Sequence, residues 1–109
     1  MKANAFKKRA GGYSAEKAEQ YIDTSKPVVV LTTEVDVKKK YDQDAQAYTD
    51  EIDSYRLWLI QEGTPPFEVK FGSKPNTFDF LNEVMLVNLE ACTVGYDVYF
   101  KADSIKAVK

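Results

Sequence analysis

Short runs in which apolar and polar residues alternate, separated by turn residues, restrict the fold of this chain more than any other feature. The clearest run is Phe67-Glu68-Val69-Lys70-Phe71, in which every second residue is apolar. Successive side chains of an extended strand point to opposite faces of a sheet, so such a run buries one face and exposes the other. Four further runs have strand character: 28–37, 54–61, 83–91 and 97–102. The sequence therefore predicts five β-strands.

The turns between the runs are short, as in Glu62-Gly63-Thr64-Pro65-Pro66, and no long helical period occurs. One short helix after Ser14 and one helical turn at 103–106 are the only helical segments we expect. We predict an all-β fold, or a β fold with one short helix, arranged as a small five-stranded OB-like or SH3-like barrel. A barrel hides the strand edges that invite aggregation, whereas a two-sheet sandwich, the alternative, usually needs seven strands.

A chain of 109 residues has enough apolar residues for one core. We expect residues 1–12 to form a flexible basic arm and residues 13–109 to form a single β-barrel domain. No apolar segment follows the basic start MKANAFKKRA, and no run of about 18 apolar residues occurs. We therefore expect a cytoplasmic protein with no membrane contact.

The chain contains no histidine and one cysteine, Cys92. This composition excludes Ser-His-Asp and Cys-His catalysis, and it leaves too few ligands for a structural zinc site. No glycine-rich phosphate loop occurs either. We expect no enzyme, no cofactor and no metal, although catalysis by carboxylates alone stays open because acidic residues are numerous.

The charges are unevenly distributed. The 15 basic and 17 acidic side chains give a net charge of −2, which argues against a strongly basic nucleic-acid binder. Residues 1–10, however, contain four basic residues and no acidic one, and Lys38-Lys39-Lys40 forms a second basic cluster. Acidic residues concentrate in 42–53. Such a chain can still bind an anion locally.

The C-terminal half resembles a known protein family. The runs that carry the resemblance are Pro66-Phe67-Glu68-Val69-Lys70-Phe71, Phe78-Asp79-Phe80-Leu81, residues 84–92 and residues 98–106. They resemble the YdcP-like proteins, small proteins of conjugative plasmids and integrative elements from Gram-positive bacteria. The resemblance covers residues 27–107 and consists of packing patterns rather than catalytic residues. It implies a small barrel associated with DNA transfer or plasmid replication, and a related plasmid-encoded group looks like OB-fold proteins that bind single-stranded DNA.

Binders of single-stranded nucleic acid combine cations that follow the phosphates with aromatic rings that stack on bases. In this chain Arg56 and Trp58 share one side of a predicted strand, and Tyr99 and Lys101 share one side of another. If these sides are neighbours, they form an aromatic and basic platform. The candidate nucleic-acid-binding residues are Lys7, Lys8, Arg9, Lys38, Lys39, Lys40, Tyr41, Arg56, Trp58, Tyr99 and Lys101.

Each candidate has a plainer interpretation. Trp58 can belong to the core while Arg56 pairs with an acid, and the lysine cluster can be a solvated hairpin. The basic start of the chain can be an inert tail.

The function we expect is that of a non-enzymatic, single-stranded-DNA-binding accessory protein of a mobile element, with conjugation or replication proteins as further partners. The alternative is a protein–protein interaction module that docks through a strand edge or the acidic 42–53 segment. Homo-oligomerisation stays open.

Overall fold

Eight strands and one short helix make up residues 12–108, which are the residues that the structure, a computed structural model, describes. In chain order they are α1 (Ala15–Glu19), β1 (Val28–Val30), β2 (Asp36–Asp42), β3 (Ala47–Ile60), β4 (Phe67–Phe71), β5 (Glu83–Val87), β6 (Glu90–Val94), β7 (Asp97–Ala102) and β8 (Ser104–Ala107). The predicted class, mostly β with one short helix, is confirmed. The predicted closed five-stranded barrel is wrong, because the eight strands form one open sheet. The expected basic arm lies, except for Gly12, outside the described residues.

Three local events turn the five predicted runs into eight strands. The run 28–37 is interrupted at Thr32, whose Oγ1 accepts a hydrogen bond from the Trp58 backbone N–H and so replaces a backbone partner. The run 83–91 divides at Asn88, which adopts a left-handed backbone with φ of 56°. The segment predicted as a helical turn near the C-terminus instead pairs with β5 as strand β8.

The sheet follows the order β6-β7-β4-β3-β1-β5-β8, and β2 pairs with the first part of β3. All neighbouring pairs are antiparallel except β4 and β7. The strands at the two ends of this order, β6 with β7 and β5 with β8, belong to one long hairpin. One side of the hairpin is β5 continued by β6, and the other side is β7 continued by β8. The hairpin bends at Asn88 and Asp103, where the Asn88 Nδ2 donates to Asp103 Oδ2 at 2.7 Å. Because of the bend, one half of the hairpin pairs with β1 through β5, and the other half pairs with β4 through β7.

One face of the sheet and the helix enclose the core. Val69 and Phe71 of β4 are fully buried, as their alternation predicts. In β1 the alternation that begins at Val29 predicts Val29 on the core side, and this is wrong by one residue, because Val28 and Val30 are buried whereas Val29 is only half-buried. The core cluster comprises Ala18, Ile22, Val28, Val30, Leu57, Leu59, Phe67, Val69, Phe71, Val84, Leu89, Ala91, Phe100, Ala102 and Ile105.

The hairpin of β2 and the first part of β3 projects from this core. Every residue of β2 is exposed, and so are most residues of β3 before Ser54. Its tip lies at 43–46, and the Asp42 carboxylate accepts hydrogen bonds there from the N–H groups of Asp44 and Ala45. The sequence predicts a hairpin connection over 38–53 with a turn at Asp42-Gln43-Asp44; the observed turn overlaps that segment, and both sides of it are strands. We call this hairpin the β2–β3 arm.

No helix within residues 12–108 is long and apolar enough to cross a membrane.

Candidate nucleic-acid interface

A row of five charged side chains crosses the outer face of the sheet, with one residue on each of five adjacent strands. The register pairs Asp36 of β2 with Arg56 of β3, Arg56 with Lys70 of β4, Lys70 with Lys101 of β7, and Lys101 with Glu90 of β6. Neighbouring strands lie about 4.8 Å apart, so the three central cations are close together. We call Asp36, Arg56, Lys70, Lys101 and Glu90 the charged row.

Like charges on adjacent strands repel each other, so the three cations need partners. The Arg56 guanidinium lies 3.3 Å from Glu68 Oε1, and its Nε donates to Ser54 Oγ at 2.9 Å. The Lys101 Nζ lies 3.6 Å from Glu90 Oε1. Among the ion pairs within residues 12–108, none involves Lys70. Arg56 is therefore paired with an acid, as its plainer interpretation held, whereas the Lys70 charge is available to an anion.

Two aromatic side chains are exposed on the same face as the charged row. Trp58 follows Arg56 by two residues on β3 and is 41% exposed, so it does not belong to the core. Tyr99 precedes Lys101 by two residues on β7 and is 46% exposed. Only β4 separates these two strands. The structure therefore brings Arg56, Trp58, Tyr99 and Lys101 onto one platform. The sequence predicts this platform only if the two strands are neighbours in the sheet.

Sequence reasoning missed Tyr13, which lies over the charged row. Its ring centroid is 4.8 Å from the Lys101 Nζ and 5.4 Å from the Lys70 Nζ, within the range of cation–π attraction. Burial, followed by the contact with the Cys92 thiol, raises the pKa of Tyr13 above its ordinary value of 10.0. The phenol therefore stays neutral at physiological pH. No periodic pattern surrounds Tyr13, so nothing in the sequence marks it.

These side chains border one open cleft. The cleft has a volume of about 740 Å³ and is lined by Tyr13, Arg56, Trp58, Lys70 and Tyr99, together with residues of the 63–67 turn and the start of β7. This volume is in the range of small-ligand sites. Two acids, Glu68 and Asp97, also line the cleft, and Glu68 is paired with Arg56. The exposed rings and the Lys70 charge suit a ligand that carries both flat rings and negative charge.

The predicted lysine cluster lies on the β2–β3 arm. Lys38 pairs with Ser54 in the register and lies 3.2 Å from the Asp36 carboxylate, so it borders the charged row. The register shifts after Lys38, so that Lys39 pairs with Ile52, which lies on the same side of β3 as Ser54. Lys40 lies 3.7 Å from Glu51 Oε1. Two of the three lysines therefore already have acidic partners.

Tyr41 also lies on the arm, away from the platform. Its ring meets that of Tyr48 edge to face, with centroids 5.0 Å apart. Tyr48 is 72% exposed. The remaining candidates, Lys7, Lys8 and Arg9, lie outside the described residues.

Within the described part of the chain, no three Cys, Asp or Glu side chains come close enough together to hold a metal ion.

Comparison of the chain with family models, with curated proteins and with solved structures gave no match.

Proposed function

We propose that this chain binds single-stranded DNA on the outer face of its sheet, without catalysing a reaction. The observation that carries the proposal is the position of Lys70. Its charge has no acidic partner among the described residues, and it lies between Arg56 and Lys101, with Trp58 and Tyr99 exposed on the same face. Phosphates would contact the cations while unpaired bases stack on the rings.

The charge pattern supports weak binding rather than tight binding. Acids stand at both ends of the charged row, and Arg56 and Lys101 each already contact a carboxylate. One to three phosphate contacts are therefore available. For a single strand this number of contacts predicts a slope of log affinity against log salt of about −0.7 to −2.

The order of the strands supports the same proposal. The five runs of the sequence correspond to β1, to β3, to β4, to β5 with β6, and to β7, which β8 continues. In this numbering the first run pairs with the second, the second with the third, and the third with the fifth in parallel. The fourth run pairs with both the fifth and the first. OB-type folds have this Greek-key arrangement, are often partly open, and bind oligonucleotides on the face of their second and third strands. These strands correspond to β3 and β4, which contain Arg56, Trp58 and Lys70. We therefore propose that the open sheet is an OB-like fold.

The resemblance to YdcP-like proteins supports a biological setting for this activity. It favours an accessory role in DNA transfer or plasmid replication of a mobile element. In that setting the further partners would be conjugation or replication proteins. This part of the proposal depends on the resemblance alone, whereas the binding activity depends on the platform.

A fluorescence titration tests the binding proposal. Trp58 is the one tryptophan of the chain, so stacking of a base should quench its emission when oligo-dT is added at low salt. Lys70→Gln should weaken binding about threefold to tenfold at low salt and reduce the salt slope by about 0.7. Lys106→Gln, a matched change on the exposed edge strand β8, should leave both quantities unchanged. Absence of both a quench and a mobility shift at low salt would refute the proposal.

The alternative, a protein-interaction module, is supported by a different surface. Val37, Tyr41, Tyr48 and Ile52 of the β2–β3 arm are all more than 40% exposed. Exposed apolar side chains on a projecting hairpin are suited to a protein partner. A complex isolated from a plasmid-bearing host that survives nuclease treatment and is lost in Tyr48→Ser would favour this alternative.

A further inference from the structure

We propose that Tyr13 is a third stacking residue of the interface, so that the residue just before the Ser14 cap of α1 contributes directly to the binding of the DNA strand. This inference rests on the proposed function and extends it to a residue outside the five extended runs. Tyr13 lines the same cleft as Trp58 and Tyr99 and lies over two of the three central cations.

The backbone fixes the position of Tyr13. The next residue, Ser14, exchanges two hydrogen bonds with Ala91 of β6, at 2.9 and 3.0 Å. The Ser14 hydroxyl also accepts a bond from the Lys17 N–H and caps α1. Tyr13 is therefore attached to the sheet edge on one side and to the helix start on the other. A ring held in this way loses little conformational entropy when a base stacks on it.

The side chains beneath the ring strengthen this arrangement. The ammonium groups of Lys70 and Lys101 approach the ring of Tyr13, and Lys101 is itself paired with Glu90. A single DNA strand that places a phosphate near Lys70 therefore brings the neighbouring base of that strand close to Tyr13. Stacking on Tyr13 and phosphate contact with Lys70 would occur together, on adjacent parts of one nucleotide unit.

Two substitutions separate stacking from the other effects of Tyr13. Tyr13→Leu removes the ring, and we expect it to weaken oligo-dT binding about tenfold, as is typical for the loss of one stacked base. The salt slope should not change, because no cation is removed. Tyr13→Phe keeps the ring and should bind within about twofold of the original chain. A reduced slope in Tyr13→Leu would mean that Tyr13 only positions the lysines and would overturn the inference.

A cross-linking experiment needs no substitution and so does not depend on the folding of a variant. Oligo-dT carrying 5-iododeoxyuridine is irradiated in complex with the unaltered chain, and the linked peptides are mapped. We expect a cross-link at Tyr13 in addition to those at Trp58 or Tyr99. Cross-links at Trp58 and Tyr99 without one at Tyr13 would overturn this inference and leave the proposed function intact. Absence of any binding would overturn both.

Discussion

At the scale of single residues, the buried amide of Gln61 holds the loop before β1 against the end of β3. Its Oε1 accepts from the Asp23 N–H at 2.8 Å, and its Nε2 donates to the carbonyl oxygens of Asp23 at 2.9 Å and Pro27 at 3.4 Å. Only 7% of Gln61 is exposed. Because a buried amide needs both donors and acceptors, no other side chain of similar size replaces it well.

Replacing Gln61 should therefore lower stability in a way that depends on pH. Gln61→Leu leaves the Asp23 N–H and carbonyl without these partners and should cost about 2–4 kcal/mol in urea unfolding. In Gln61→Glu the buried carboxylate would face two carbonyl oxygens, so its folded pKa should lie above the unfolded one. Stability of this variant is then greatest below the unfolded pKa and falls as pH rises through the folded pKa.

The exposed Gln43 of the arm tip provides the matched control. Gln43→Glu should show no comparable loss of stability between acid and neutral pH. If Gln61→Glu were as stable at neutral pH as in acid, the amide would not have the role that its hydrogen bonds indicate.

At the scale of elements, the bend of the long hairpin depends on Asn88. This residue has φ of 56°, a left-handed conformation that asparagine tolerates and β-branched residues strongly disfavour. The bend sends β5 to pair with β1 and β6 to pair with β7. A straight hairpin could not supply both ends of the sheet.

Asn88→Val should therefore destabilise the fold by about 1–3 kcal/mol, because valine resists this conformation and the hydrogen bond to Asp103 is lost. Asn88→Gly also loses the hydrogen bond but permits the conformation, so it should recover most of the stability. Urea unfolding of both variants measures the difference. Equal stability of Asn88→Val and the original chain would show that the bend does not depend on this backbone conformation.

The sequence predicts the elements better than their ends. Alternation in 67–71 correctly separates buried from outward residues, because this run is regular and packs on one face only. The breaks at Thr32 and Asn88 depend on contacts with distant residues, Trp58 and Asp103, and so leave no local pattern. In the run Val28-Val29-Val30 every residue is apolar, and the alternation cannot decide which side is inward.

The residues of the candidate site also divide into those that local alternation predicts and those that depend on contacts between distant parts of the chain. Alternation correctly places Arg56 with Trp58 and Tyr99 with Lys101 on shared sides of their strands. That β4 lies between those strands, with Lys70 at the centre, follows from the parallel pairing of β4 and β7, which joins residues far apart in sequence. Pairing of this kind is a property of the whole chain. Lys70 was therefore recognisable only as an outward residue, and Tyr13 not at all.

At the scale of the whole molecule, local charge and net charge have opposite signs. The chain is acidic, at −2, and several of its acids lie on the β2–β3 arm, yet the proposed ligand is an anion. Arg56 lies nine positions after Ala47, the first residue of β3, which corresponds to roughly 30 Å. The Debye length is about 30 Å at 0.01 M salt and about 10 Å at 0.1 M. The acids of the arm tip should therefore repel an approaching strand only at low ionic strength.

Neutralising two exposed acids of the arm, Asp44→Asn with Asp50→Asn, tests this expectation. Asp50 lies six positions before Arg56 on β3, about 20 Å away, and Asp44 lies at the arm tip, about 30 Å away. At these distances two unit charges change the energy of a ligand of a few charges by only a few tenths of a kcal/mol, so oligo-dT association should quicken about 1.5-fold to twofold at 0.01 M salt. At 0.1 M the effect should vanish. Asp36→Asn, a change within the charged row, should retain its effect at both salt concentrations, because Asp36 is adjacent to Arg56 in the register. Stopped-flow Trp58 fluorescence measures these association rates. An equal effect of the arm variant at both salt concentrations would mean that the DNA strand binds on the β2–β3 arm itself.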